Sequence, residues 1–212
     1  MAVSSTAEAG VDRAERMRRR RRSQILAAAK EVFAERGYHN ASINDIIGRA
    51  GIARGTFYLY FESKHKVFES ILEEALVELR ARIRRIDVSE GADPPPVQLR
   101  GSLVRVMEFV LGDPHFSRLL LRHSMGSDAE AMQRVDAFFA HVLDLIHSSL
   151  EHGIQMGLIR PCDTALVAPA LLGAVRGIIE HSIQQTAPLA IESIVDELIA
   201  FALRGVVVGN RW

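Results

Sequence analysis

Four aromatic side chains, Phe57, Tyr58, Tyr60 and Phe61, crowd into five positions of a 212-residue chain that is only 6% aromatic. They lie in the stretch AGIARGTFYLYFESK, residues 50–64, beside Arg54, Gly55, Thr56 and Leu59. At 100° per residue, positions 53–61 separate into faces of different chemistry. Phe57 and Phe61 fall together, spaced to pack inward. Gly55 and Leu59 form the opposite ridge, where a missing side chain lets the backbone approach another surface closely. Arg54 and Tyr58 flank that ridge on one side, Thr56 and Tyr60 on the other. A guanidinium fork and hydroxyls about a smooth strip do recognition chemistry rather than bond-making. They suit a helix lying in a DNA major groove, its ridge at the base edges and its hydroxyls at the phosphate walls.

Nothing else in the chain competes as a reactive centre. No nucleophile motif, phosphate-binding glycine loop or metal-ligand pair of recognised spacing is present, so no enzyme, cofactor or metal is expected. Asp144, His147 and Glu151 share one helix face but read as a solvated polar surface. The single cysteine, Cys162, cannot form an intrachain disulfide.

A recognition ridge must be held by a scaffold. Residues 1–22 lack hydrophobic periodicity and end in Arg18, Arg19, Arg20, Arg21 and Arg22, which predicts a mobile basic arm able to lie along phosphates or enter a minor groove. From Ser23, apolar residues at Ile25, Leu26, Ala29, Val32 and Phe33 predict a helix stopped by Gly37. Ser42 with Asp45 three residues on predicts a capping box opening a second helix, closed by Gly51. Only GIA separates it from the aromatic segment, the short glycine turn of a helix-turn-helix. A longer amphipathic helix follows from Val67 to Ile86, able to join two domains. The prolines of DVSEGADPPPVQ predict a loop over 87–96. Helices are expected beyond it at about 97–111, 114–124, 127–156, 163–185 and 189–208, with no strand pattern. The expected organisation is all-α: an arm, 1–22; a DNA-binding domain, 23–70; and a helical domain, 71–212.

Formal net charge is zero, but it is unevenly spread. Residues 1–66 carry +6 and residues 67–212 carry −6. A basic third facing a polyanion and an acidic remainder facing away match that division. The longest uninterrupted apolar run, residues 165–175, is too short to span a bilayer, and the basic N-terminal cluster is not followed by a signal-like apolar segment. The expectation is therefore a cytoplasmic protein with no membrane partner.

The run GYHNASINDIIGRAGIARGTFYLYFESKHKVF resembles the DNA-binding domain of the tetracycline-repressor (TetR) family of bacterial transcription regulators. The resemblance covers about 49 residues, Ser23 to Ile71. It departs from the family pattern at Ala41, usually threonine, at Ile47, usually small, and at Ala53, usually a serine cap. By resemblance, Ser42 contacts phosphate with its hydroxyl and backbone N–H, and Arg54 reads a base beside Gly55 and Thr56. Tyr58, Tyr60 and Lys64 are implied phosphate contacts, and Leu59 could meet a thymine methyl.

The resemblance also implies a homodimer whose helical domain encloses a small-molecule pocket. A repressor of a palindromic operator, bound at the nucleoid and released by an effector, is the function expected; an effector-independent or architectural DNA-binding protein is the alternative. Ala170, Gly173, Ala174 and Gly177 form a smooth strip for another helix, from the same chain or a second copy. Met107, Phe109, Phe116, Met125, Phe138, Phe139 and Met156 could line a cavity or fill a core. Arg176, in an apolar helix, could meet an anionic effector or pair with Glu180 one turn on.

Overall fold

The computed structural model describes residues 3–120, 128–185 and 190–206, and among them finds helices and no strands. In chain order these are α1 (Val3–Arg36), α2 (Ile43–Ala50), α3 (Arg54–Tyr58), α4 (Lys64–Arg82), α5 (Pro95–Leu111), α6 (Pro114–Leu120), α7 (Ala129–Gln155), α8 (Thr164–Gln184) and α9 (Ile191–Val206). Met125 lies outside the described residues.

The basic arm is not separate from the first helix, as expected, but is its N-terminal extension. Ala, Arg, Glu and Met are good helix formers, and Glu15 and Arg19 face each other one turn apart. The segment therefore propagates helix without an apolar stripe, and residues 13–20 are exposed. The proline loop is shorter than expected for a related reason. Pro95 and Pro96 occupy the first turn of α5, where the missing N–H groups have no intrahelical partner to lose.

Two apolar cores organise the chain. The first gathers Ile25, Val32 and Phe33 of α1, Ile46 of α2, Phe57 of α3 and Val67, Phe68 and Ile71 of α4. Phe116 and Leu119 of α6 and Val135 and Phe138 of α7 complete the same cluster, so the DNA-binding unit is packed into the helical body. The expected boundary at 70/71 falls inside α4, which belongs to both. Polar contacts follow the same seam: Lys30 pairs with Asp113, Glu69 with Arg134, and the His65 ring with Glu130. Burial pushes the Asp113 carboxyl up, but the Lys30 ammonium and the Phe116 N–H outweigh it and hold the pKa down. The second core joins Met107 and Val110 of α5 to Ile179 of α8 and Ile194, Val195 and Leu198 of α9.

Counting consecutive apolar residues understated α8. Its 21 residues are apolar enough, by length and composition, to cross a membrane. It nevertheless carries Arg176 and Glu180, and it packs against α5, α6, α7 and α9.

Candidate nucleic-acid interface

The turn between α2 and α3 is built by contacts from three directions. Gly51 takes φ 62° and ψ 40°, a left-handed conformation that side chains disfavour, and its N–H caps α2 through Gly48 O. The side chain of Gln24 in α1 donates to Ala50 O at 2.7 Å. Arg49 bridges α2 to Glu31 and Glu35 of α1 at 2.8 and 2.6 Å.

Held this way, α3 divides as its sequence predicts. Phe57 and Phe61 are buried, at 0% and 4% exposure, and their ring centroids lie 6.1 Å apart. Leu59 is 75% exposed and Tyr58 45%, while Arg54 and Gly55 also face solvent. A Cβ placed on Gly55 meets nothing within 4 Å, so the ridge is open to an incoming surface. Thr56 and Tyr60 are half-buried, Tyr60 packing its ring against the first core. The Arg54 guanidinium stands 5.9 Å from the Tyr58 ring centroid, which orients it along the helix. Regular α-helix ends at Tyr58, but Phe61 N–H still bonds Phe57 O at 3.0 Å, continuing the turn through the second phenylalanine.

Ala53 occupies the N-cap of α3 with extended backbone (φ −73°, ψ 149°) and offers no side-chain acceptor. Ala53→Ser supplies one without disturbing the backbone, and is expected to raise stability by about 1 kcal/mol in urea unfolding.

Three residues implied as phosphate contacts are engaged internally. Lys64 is the clearest correction. Its ammonium donates to the carbonyls of Tyr38, Ala41 and His39 at 2.8, 3.0 and 3.4 Å, and lies 4.3 Å from the Tyr38 ring centroid. With its three protons on carbonyls it has none left for phosphate, and burial pushes its pKa down. It shapes the α1–α2 turn instead. Arg22 pairs with Glu74 and lies 5.3 Å from the Phe61 ring centroid, so its charge anchors α1 to α4.

Ser42 caps α2 as expected, but both groups assigned to phosphate are spent on the box. Its N–H and hydroxyl donate to Asp45 at 2.9 and 2.7 Å, and Asp45 N–H returns to the hydroxyl at 3.2 Å. Those bonds to Ser42, with Arg36 nearby, hold the Asp45 carboxyl below the usual range. Because the folded pKa is depressed, the stabilisation is present above about pH 4 and fades as pH falls through the folded value. Asp45→Ala is expected to lower stability near pH 7 and to leave the strongly acidic limb almost unchanged in denaturant titrations at a series of pH values.

Of the remaining arginines, Arg18, Arg19 and Arg20 are exposed and Arg21 is half-buried, donating to Gln24 at 2.8 Å. Sequence reasoning missed Gln24, Arg49 and Tyr38, whose roles rest on partners 14 to 27 residues away. No local spacing signals such pairs.

Two short helices across a left-handed glycine turn, presenting an open ridge and mounted by α4 on a helical body, define a helix-turn-helix transcription regulator. Residues 25–71 match the family model for bacterial regulatory proteins, tetR family. The fatty acid metabolism regulator protein of Bacillus subtilis is 29% identical over 153 residues, 72% of this chain and 78% of that protein. The HTH-type transcriptional activator FasR of Mycolicibacterium smegmatis is 27% identical over 189 residues, covering 87% of this chain and 82% of that one. The crystal structure of FadR from Bacillus subtilis in complex with stearoyl-CoA superposes with a TM-score of 0.71 at 22% identity, over 89% of this chain and 99% of that chain. Residues 25–71 thus form a DNA-binding domain of the tetR family of bacterial regulatory proteins.

Proposed function

We propose that the protein is a homodimeric repressor that holds a palindromic operator with two of these heads and releases it when a long-chain acyl ligand enters the helical body. What carries the reading is likeness across the body as well as the head. Similarity to the fatty acid metabolism regulator spans 153 residues, well beyond the 25–71 segment that any member of the family shares. A DNA-binding protein without an effector gives no reason for that extended likeness.

Exposed apolar surface on α8 and α9 supplies the dimer face. Leu166 on α8 is 70% exposed and Phe201 on α9 is 68% exposed, an apolar area that water disfavours. Ala170, Gly173 and Gly177 are exposed along the same side of α8, and a Cβ on either glycine meets nothing within 4 Å. Ala174 turns away instead and packs on the second core. Two helices from each subunit make a four-helix interface, setting the heads about one DNA turn, ~34 Å, apart.

The cavity candidates divide. Met107, Phe116 and Phe138 are buried in core packing, and Phe139 is half-buried. Met156 is 38% exposed at the end of α7. Arg176 forms no ion pair with Glu180; its guanidinium lies over the Phe139 ring at 4.2 Å. Phe109 lines an open cleft with Arg82, Arg105 and Glu108.

The test is release. DNA fragments retained by the purified protein supply an operator, and fluorescence anisotropy follows its dissociation as stearoyl-CoA is added. Loss of the complex at micromolar stearoyl-CoA is expected; an unchanged complex with every acyl compound rejects the acyl reading.

A further inference from the structure

The helical body is acidic overall, yet four arginines, Arg80, Arg82, Arg84 and Arg85, fall within six residues at the end of α4, and Arg105 joins them from α5. Arg82, Arg105, Glu108 and Phe109 line a cleft of about 390 Å³, within the usual size range of small-ligand sites. The charges there are unequally satisfied. Arg82 is neutralised by Glu78, and its guanidinium lies 4.5 Å from the Phe109 ring centroid. Arg85 donates to the His152 ring at 3.3 Å.

Arg105 is half-buried. It donates Nε to Arg82 O at 3.1 Å and Nη2 to the Ser102 hydroxyl at 2.9 Å. Among the described residues it forms no ion pair with any carboxylate, Glu108 on the exposed rim included. A partly desolvated guanidinium without a counter-ion, facing an open cleft, is unfavourable until an anion meets it.

The floor of the cleft rests on packed aromatic rings. Phe109 packs against both apolar cores. Beyond it Phe116 follows at 5.6 Å, Phe138 at 6.3 Å from Phe116, and Phe139 at 5.4 Å from Phe138. A basic mouth with an aromatic wall is complementary to a phosphate-bearing head. DNA does not fit the same place, because α4 separates this mouth from the reading head by 19 residues, about 27 Å of helix.

We infer that the cleft between the end of α4 and α5 is the subsite for the phosphate-bearing head of the effector, with Arg105 as its recognition residue and Phe109 as the apolar wall beside it. The inference rests on the acyl-ligand reading above and gives the ligand its polar half. It also supplies a mechanical link. Arg105 holds the carbonyl of Arg82, in the last turn of the helix whose first turn adjoins the recognition segment, so drawing Arg105 toward a phosphate acts directly on α4.

Isothermal titration of the full chain with stearoyl-CoA, stearate and coenzyme A separates head from chain. Arg105→Gln is expected to weaken stearoyl-CoA and coenzyme A by about tenfold or more, to flatten the salt dependence of both, and to leave stearate within about twofold. Arg100→Gln, which removes an equal charge from another face of α5 where it pairs with Asp196, is expected to change none of these and controls for α5 itself. Equal losses for stearate and stearoyl-CoA, no loss at all, or weaker operator binding by Arg105→Gln without ligand each overturn the assignment. Arg105-dependent coenzyme A binding in a protein indifferent to acyl chains keeps the anion subsite and rejects the acyl reading. Stearoyl-CoA releasing DNA equally from wild type and Arg105→Gln does the reverse.

Discussion

Removing residues 1–21 is expected to lower operator affinity about 100-fold or more near 0.1 M salt, and to flatten the slope of log K against log salt by about 4. The figure follows from counterion release. Each phosphate neutralised contributes about 0.9 to the slope on duplex DNA, so two contacts from each of two arms give roughly that change. Arg18, Arg19 and Arg20 are the residues to make them, being exposed on the helical extension of α1. Arg19 has only a 3.8 Å approach to Glu15, with both side chains well exposed, a pairing that solvent largely screens. The extension projects cations in fixed helical register, so a triple Arg18→Gln, Arg19→Gln, Arg20→Gln chain is expected to reproduce most of the deletion. Arg22→Gln provides the contrast. Its charge is spent on Glu74 and its plane on Phe61, so it is expected to cost folding stability with little change in slope. A truncated protein with an unaltered salt slope removes the arm from the interface.

The parts of this molecule legible from sequence are those fixed by neighbours in the chain. The inward pair Phe57 and Phe61, the outward ridge at Gly55 and Leu59, the capping box at Ser42 and the left-handed Gly51 all follow from spacings of two to four residues. Their positions in the structure match. What sequence did not disclose depends on distant partners. Lys64 looks like a surface cation until three carbonyls of the 38–41 turn converge on it. Arg22 stands last in a row of five identical residues, and only the placement of α4 distinguishes it from Arg18. Arg176 has a carboxylate at the favoured helical spacing, yet its guanidinium lies over the Phe139 ring of α7 at 4.2 Å. The helical state of residues 3–22 escaped the sequence for a different reason. Hydrophobic periodicity detects helices that pack, and residues 13–20 are exposed, their helix sustained by propensity and by continuity with a buried stretch that supplies its nucleus.

Arg54→Ala is expected to cost about 1 to 3 kcal/mol for each half-site and to relax base preference at a single position in it. Its place in the fold supports a base contact over a backbone one. Arg54 is the first residue of α3, its side chain is exposed, and it borders the open ridge of Gly55 instead of standing behind it. Stacking along the Tyr58 ring reduces the freedom the guanidinium loses on binding, which favours the planar, two-pronged grip that guanine O6 and N7 accept. With two heads on a palindrome the penalty doubles to about 2 to 6 kcal/mol, on the order of 30-fold to 10⁴-fold in affinity. Tyr60→Phe discriminates between specific and general contact. That ring is already packed on the core, so the substitution keeps the packing and removes only the hydroxyl, which is expected to weaken all sequences alike. Binding-site selection from a random library with both variants reads the two effects separately. A wild-type consensus recovered by Arg54→Ala withdraws the base-reading role from Arg54 and moves it to Thr56, which flanks the ridge, or Leu59, which forms it.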